Sequence, residues 1–288
     1  MYYIQNDYLI AKINAKGAEL QSVVLKSSDV NYMWEGNPAN WAKFSPVLFP
    51  IVGALKDNTY FFKGNAYQLP RHGFARDMVF EANQISNTEI DFVLTYNEET
   101  LAKYPFKFKL TLKYSLKENN LTCIYVVENI GEDEMFFSLG AHPAFAAPLN
   151  NEGQYTDYFL EFDKDEELNF YHVVDNLLVD TISVLKLQNK SLPLNYQLFY
   201  KDALVFKNLK SKNIRLLNHK NAKGLGFEFD NFPYFGIWAA IDANFVCLEP
   251  WQGVADHANH DQNLEHKEGV LNLESKASWQ AFWQINCF

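Results

Sequence analysis

Along most of this chain the apolar residues fall on every second position. In Phe106–Leu116 they alternate with Lys, Thr and Ser, the pattern of a strand with one buried and one wet face. The polar turn Lys117-Glu118-Asn119-Asn120 follows, and Leu121, Cys123, Tyr125 and Val127 then resume the alternation, which predicts a hairpin. The same pattern predicts strands at Asn58–Phe62 and Ala66–Leu69 around Lys63-Gly64-Asn65, at Glu89–Tyr96 and at Asp157–Phe162. Ala203–Leu209 and Ile214–His219 flank a polar turn, and Gly226–Phe229, Phe235–Ile241 and Phe245–Glu249 follow in close succession. The last strand carries Trp279, Ala281, Trp283, Ile285 and Cys287 on one face. Pro250, lacking an N–H, is expected to stop the ladder just after Glu249. Helical signals are few: a turn or two at Pro38–Phe44, another at Glu98–Tyr104 before Pro105. The acidic run Asp163–Glu167 is expected on the surface. So many short strands between turn signals predict an all-β antiparallel sandwich or barrel.

No linker, repeat or low-complexity tract interrupts the 288 residues, so residues 1–288 are read as a single domain. The 48% hydrophobic fraction is enough for a sizeable core and argues against disorder. A net charge of −10, with arginine only at Arg71, Arg76 and Arg215, argues against nucleic acid and anionic membranes as partners. The first residues lack the basic start and apolar core of a signal peptide, and no run of 18 apolar residues exists to span a membrane. Cys123, Cys247 and Cys287 are odd in number and far apart, as expected of free thiols in a cytoplasmic protein.

Four places break the strand pattern with residues capable of chemistry. In Pro70-Arg-His-Gly-Phe-Ala-Arg-Asp77, His72 sits beside a glycine that lets backbone approach a ligand closely, between two of the three arginines. The plainer reading is a turn whose arginines pair with surface acids. In Ser138-Leu-Gly-Ala-His-Pro-Ala-Phe145, His142 stands among small residues with no charge nearby; it is either functional or a buried histidine bonded to a backbone carbonyl. In Val246-Cys-Leu-Glu-Pro-Trp-Gln-Gly253, apolar neighbours are expected to raise the pKa of Glu249 towards that of a general base working near neutrality. Trp251 beside it offers a flat face to the C–H face of a sugar, and the alternative is an ion pair between Glu249 and Arg76 or a lysine. The fourth place, Asp256-His257-Ala-Asn-His260-Asp261 with His266 beyond, lacks metalloprotease spacing and an apolar frame, and is expected to be a solvated loop without a metal.

The motifs FSPVLFPIVG (44–53), LPRHGFARD (69–77), SLGAHPAF (138–145), FPYFGIWAA (232–240) and CLEPWQGVAD (247–256) resemble, in order, those of the aldose 1-epimerase (galactose mutarotase-like) superfamily. The LacX-type branch, related to the hexose-6-phosphate mutarotases, is the most similar. The resemblance implies a large antiparallel β-sandwich with an open sugar cleft and chemistry without cofactor or metal. It implies that Glu249 takes the C1 hydroxyl proton, that His142 protonates the ring oxygen and that His72 stabilises charge. Arg76 would hold the substrate or orient Glu249. Asp202, in Lys-Asp-Ala-Leu-Val-Phe, falls where relatives place a substrate-binding carboxylate. Galactose mutarotases carry an arginine in the segment matching Gly53–Asn58; this chain has none there, and Lys56 is its candidate replacement. Arg71 and Arg76 suit contacts to a sugar phosphate. The implied activity is aldose 1-epimerisation of a hexose or hexose phosphate. The alternatives are a non-catalytic sugar-binding protein with the same cleft and a polysaccharide-processing enzyme on the same sandwich.

Overall fold

The computed structural model describes residues 1–288. The alternation around Lys117–Asn120 becomes the strands Phe108–Lys117 and Asn120–Asn129, paired antiparallel from Phe108↔Asn129 to Lys117↔Asn120. They lie inside a nine-stranded sheet whose order is Ser191–Pro193, Tyr158–Phe162, Asn213–Asn218, Leu225–Asp230, Ser278–Cys287, Asn120–Asn129, Phe108–Lys117, Glu89–Thr95 and Glu81–Gln84. An eight-stranded sheet runs Leu177–Lys186, Glu167–Val174, Leu204–Phe206, Tyr234–Trp238, Phe245–Gln252, Leu139–Ala141 and Val47–Leu48, with Ala144–Ala146 also pairing with Phe245–Gln252. The pairings within both sheets are antiparallel. A four-stranded sheet at Tyr2–Asn31 and two hairpin-sized sheets complete the all-β architecture.

Aromatic rings join the two large sheets. Phe229 lies 4.7 Å from Phe235, and Phe145 lies 5.8 Å from Phe227. Trp283, fully buried, stacks on Phe227 and donates its indole N–H to the Tyr125 hydroxyl at 3.0 Å. This closes the bond of a polar group that would otherwise cost energy in the core.

Most predicted strands form, but local pattern did not reveal which sheet each joins. Ala203–Leu209 shrinks to Leu204–Phe206 and pairs with Tyr171 and with Tyr234–Trp238, whereas Asn213–Asn218 lies in the opposite sheet. The link between them crosses the sandwich. Pro38–Phe44 makes a single turn, with the Asn40 and Trp41 N–H groups donating to Asn37 O. Glu98–Lys103 is helical and capped reciprocally by Asn97 and Thr100. In the acidic run, Asp165 is buried, accepting from the backbone N–H groups of Lys210 and Ser211, so that run is not wholly a surface feature.

The strand through Glu249 does not stop at Pro250. It continues to Gln252, with Pro250 opposite Phe235. Leu248 donates its N–H to Pro143 O, so residue 250, two further on, directs its missing N–H to that same side. There the register places it opposite Ala141, where one ladder donor is missing, while the pairings Gly140↔Trp251 and Phe235↔Pro250 carry the strand on. Phe229→Ala would open a cavity at the seam between the sheets, at a cost of about 3–5 kcal/mol. A lowered urea midpoint at unchanged m-value would show it.

Candidate active site

Phe145 and Phe235 face the nine-stranded sheet, and so do their partners Val246 and Pro250. Alternation then puts Cys247, Glu249 and Trp251 on the outer face of the eight-stranded sheet. There Glu249 and Trp251 line a cleft of about 680 Å³. The sheet is shaped to receive Trp251. A Cβ on Gly236 would lie 2.5 Å from the indole, and one on Gly140 2.6 Å from it. The ring therefore rests flat on two glycines. It is only 6% exposed, so it acts as a fixed wall of the cleft and not as the open stacking face expected from the sequence. The accessible aromatic faces belong to Trp41 and Trp238, both half-buried in the cleft lining, and to the exposed Tyr200 at its rim.

His142 occupies the interruption between Leu139–Ala141 and Ala144–Ala146, where the register places it opposite Glu249. Its Nε2 is 3.2 Å from Glu249 Oε2, but without hydrogen-bond geometry. Both carboxylate oxygens of Glu249 and Nδ1 of His142 are buried without a partner. Trp41 stacks on the imidazole at 5.0 Å and Trp238 meets it edge-on at 5.7 Å. The ring of His72 is 5.9 Å away and perpendicular.

His72 adopts a left-handed backbone, φ +69°, which costs energy for any residue with a Cβ. Gly73 follows at φ +72°, where a Cβ would lie 2.3 Å from Phe49 O, so only glycine fits. His72 donates its N–H to Gly53 O at 2.8 Å, and Gly53 donates its own N–H to His72 Nδ1 at 3.1 Å. An accepting Nδ1 puts the proton of the neutral ring on Nε2. Arg71 Nε–H is aimed at that same Nε2 at 3.2 Å, so both ring nitrogens meet a donor. The Gly53 N–H is fixed in the backbone whereas the half-exposed Arg71 side chain is free to turn aside, so the Nε2–H tautomer is the one the fold favours. Two donors thus lie side by side, and a single ligand oxygen between them would accept from both.

Arg71, Arg76 and Asp202 also line the cleft. Arg71 donates through Nη1 to Asn176 Oδ1 at 2.8 Å, and its Nη2 is 3.9 Å from Asp202 Oδ1. Arg76 donates to Arg71 O at 2.8 Å and lies 3.7 Å from Asp77, so it pairs neither with Glu249 nor with a distant acid. Lys56 is outside the cleft lining. Its ammonium donates to His260 O, away from the position expected of an arginine replacement.

The histidine-rich segment is not simply solvated. Asp256 is 1% exposed and accepts from the ammonium of Lys267, itself 2% exposed, at 2.7 Å. The three histidines turn to separate partners: His257 to Glu268, His260 to the Gln262 N–H and His266 to Asp261. Of the groups with metal-ligand chemistry, His142 Nε2, Cys247 Sγ and the Glu249 carboxylate lie within 4.8 Å of one another. Burial and the neighbouring Glu249 push the Cys247 thiol well above its usual range, so it stays protonated. The trio is a carboxyl group and an imidazole backed by a neutral thiol.

Burial sets the protonation of the site. It raises Glu249 well above the usual carboxylate range, with Asp202 adding to the rise and Arg71 and the Trp251 indole N–H opposing it. Burial, with Arg71 and Arg76 nearby, pushes His142 down to about 3. His72 is lowered well below its ordinary value by burial and then by Arg71. Burial thus disfavours charge on both groups: it keeps the His142 ring neutral and draws Glu249 towards its protonated form.

Sequence reasoning missed Trp41, Trp238 and Asn176 as cleft residues. Only Asn176 had a local signal, the Asp175-Asn176 turn dipeptide that both residues enter with positive φ.

The aldose 1-epimerase family model matches residues 1–269, and the chain belongs to that family. It is 32% identical to the plasmid-encoded Protein LacX of Lactococcus lactis subsp. lactis over 281 residues, 94% of this chain and 93% of the relative. Its fold matches a galactose mutarotase related enzyme from Lactobacillus acidophilus with a TM-score of 0.95 and 34% identity, over 100% of this chain and 97% of the other. A galactose mutarotase-like protein from Lactobacillus casei matches with a TM-score of 0.91 and 29% identity, each chain being covered in full.

Gly236→Ala would drive a Cβ into the Trp251 ring and should cost about 1–3 kcal/mol. The indole ¹H–¹⁵N resonance of Trp251 should shift with it; an unmoved resonance would show that the ring is not pinned by the glycine.

Proposed function

We propose that this chain is an aldose 1-epimerase, a single domain over residues 1–288 that interconverts the anomers of a hexose or hexose phosphate by opening its ring. The observation that carries this reading is the buried Glu249 carboxylate, unpartnered on both oxygens, 3.2 Å from His142 Nε2 on the wall of an open cleft. Ring opening needs a base at the C1 hydroxyl and an acid at the ring oxygen, and these two groups supply one of each. No helix of the chain is long and apolar enough to cross a membrane. The three cysteines are free and buried, which agrees with a cytoplasmic setting.

In this mechanism a proton held by Glu249 moves across the 3.2 Å gap to His142 when the C1 hydroxyl begins to donate to the carboxylate. Glu249 then removes that hydroxyl proton while His142 gives its own to the ring oxygen. The C1–O5 bond breaks and C1 becomes an aldehyde. Rotation about C1–C2 and reversal of the steps give the other anomer and restore the pair. His72 Nε2–H and Arg71 donate to an oxygen at the reacting end of the sugar. Asp202 accepts from ring hydroxyls, Trp41 and Trp238 cover the C–H face, and Arg71 and Arg76 are the cations available to a phosphate.

Glu249→Gln and His142→Asn should each slow anomer exchange by about 10²–10⁴-fold with the fold intact. Polarimetry or saturation-transfer NMR on galactose, glucose and glucose 6-phosphate would measure this, and wild-type rates in both variants would sink the assignment. Tight sugar binding by the native protein with no rate above the spontaneous one would favour the non-catalytic reading.

The pH profile offers a second check. The one-proton pair takes a second proton only near the lowered His142 value of about 3, and loses its proton only above the raised range of Glu249. kcat/KM should therefore hold through pH 4–5, the range of an ordinary glutamate at about 4.3. An acid limb in that range would contradict the assigned pair.

A further inference from the structure

The buried pair Asp256–Lys267 has no part in the chemistry above, yet both side chains are 0% exposed. Burying two charges is expensive, and such a pair contributes less to stability than apolar residues of equal size. Its placement suggests another use. Asp256 grips the chain beside Gly53 at two points: Oδ2 accepts the Lys56 N–H at 3.0 Å, and its own N–H donates to Ala54 O at 2.9 Å. Lys267 holds the other carboxylate oxygen at 2.7 Å. Gly53 is pressed against Ala255, where a Cβ on the glycine would lie 2.5 Å from Ala255 Cα. The segment so clamped, residues 53–56, presents the N–H and C=O that close on His72.

We propose that Asp256 and Lys267 are a positioning pair: by fixing residues 53–56 they keep the Gly53 N–H on Nδ1 of His72, and so keep the His72 proton on Nε2, facing the sugar. This rests on the reading of His72 as a substrate contact. The backbone of His72 is left-handed and would relax if released, so a clamp from outside the loop is what the geometry requires. His260 Nδ1, 3.4 Å from Asp256 Oδ2, is occupied by the Gln262 N–H and does not replace Lys267.

The test uses Asp256→Asn, Lys267→Met and Lys267→Arg, with Lys207→Met as control, because Lys207 forms the neighbouring 2.7 Å pair with Glu268 outside the clamp. Asp256→Asn would set an amide N–H₂ against either the Lys56 N–H or the Lys267 ammonium, breaking one hold while keeping the shape. Long-range ¹H–¹⁵N spectra report the His72 tautomer, and hydrogen exchange reports the Gly53 amide; neither needs turnover. In Asp256→Asn and Lys267→Met the tautomer should become mixed and Gly53 exchange should rise by about tenfold or more relative to the core strands. kcat for the sugar turned over should fall by roughly 10–100-fold with KM nearly unchanged, as expected of a misplaced group. Lys267→Arg should restore the tautomer in large part, and Lys207→Met should leave all three readouts as they were. If Lys267→Met does not fold, Asp256→Asn decides. A folded Asp256→Asn with native His72 shifts and native Gly53 exchange overturns the proposal. A native protein with no epimerase activity, but with the tautomer change intact, overturns the functional reading alone.

Discussion

A carboxylate on an interior strand of a sheet, 1% exposed and with no hydrogen bond, is the constraint around which the rest of this site is arranged. Left alone it would cost several kcal/mol or stay protonated. Around it the sheet gives up its regular features one at a time. Its neighbour strand breaks to seat His142 opposite the acid, and the proline beside the acid leaves one ladder donor missing opposite Ala141. The opposite residue, Gly236, is reduced to backbone so that Trp251 can lie flat next to the acid. Each departure from strand regularity is tolerable alone, because the two sheets behind it are tied by a continuous aromatic core.

The electrostatics follow from the same burial. Glu249 is pushed up and His142 down, so the site favours the uncharged form of each in a place where charge separation is costly. Arg71 touches every part of this balance: it lowers both histidines and opposes the rise at Glu249. Nearly half of its side chain is exposed, and it is held by Asn176 from the tip of a hairpin. A ligand that draws the guanidinium away biases all three groups towards their protonated forms, whereas one that bonds to it in place leaves that bias as it is.

The strands were legible because alternation is a local signal, as the register from Phe108 to Asn129 shows. Sheet membership was not legible. Nothing between Phe206 and Asn213 states that the chain crosses from one sheet to the other. The rule that proline ends a ladder misfired at Pro250 because one missing donor does not end a strand whose pairings continue on both sides, at Gly140↔Trp251 and Phe235↔Pro250. Family motifs drew attention to His72, His142 and Glu249, and their meeting depends on long-range pairing that no single motif contains. Lys56 was misplaced because adjacency to Gly53 in sequence does not fix which way a side chain leaves the chain. Asp256 and Lys267, eleven residues apart in a polar stretch, each look like surface charges; only folding reveals one buried pair.

Trp251 and its two glycines divide the cleft into parts with different freedom to change. The floor, where the indole meets Gly140 and Gly236, has no spare volume, and enlarging any member displaces the others. The rim is built of loop residues such as Tyr200, Asn176 and Ile241, and Tyr200 and Ile241 are largely exposed. A lineage descending from this chain, or an engineer working on it, would find substrate preference adjustable at the rim by single substitutions. The floor would have to be replaced as a set.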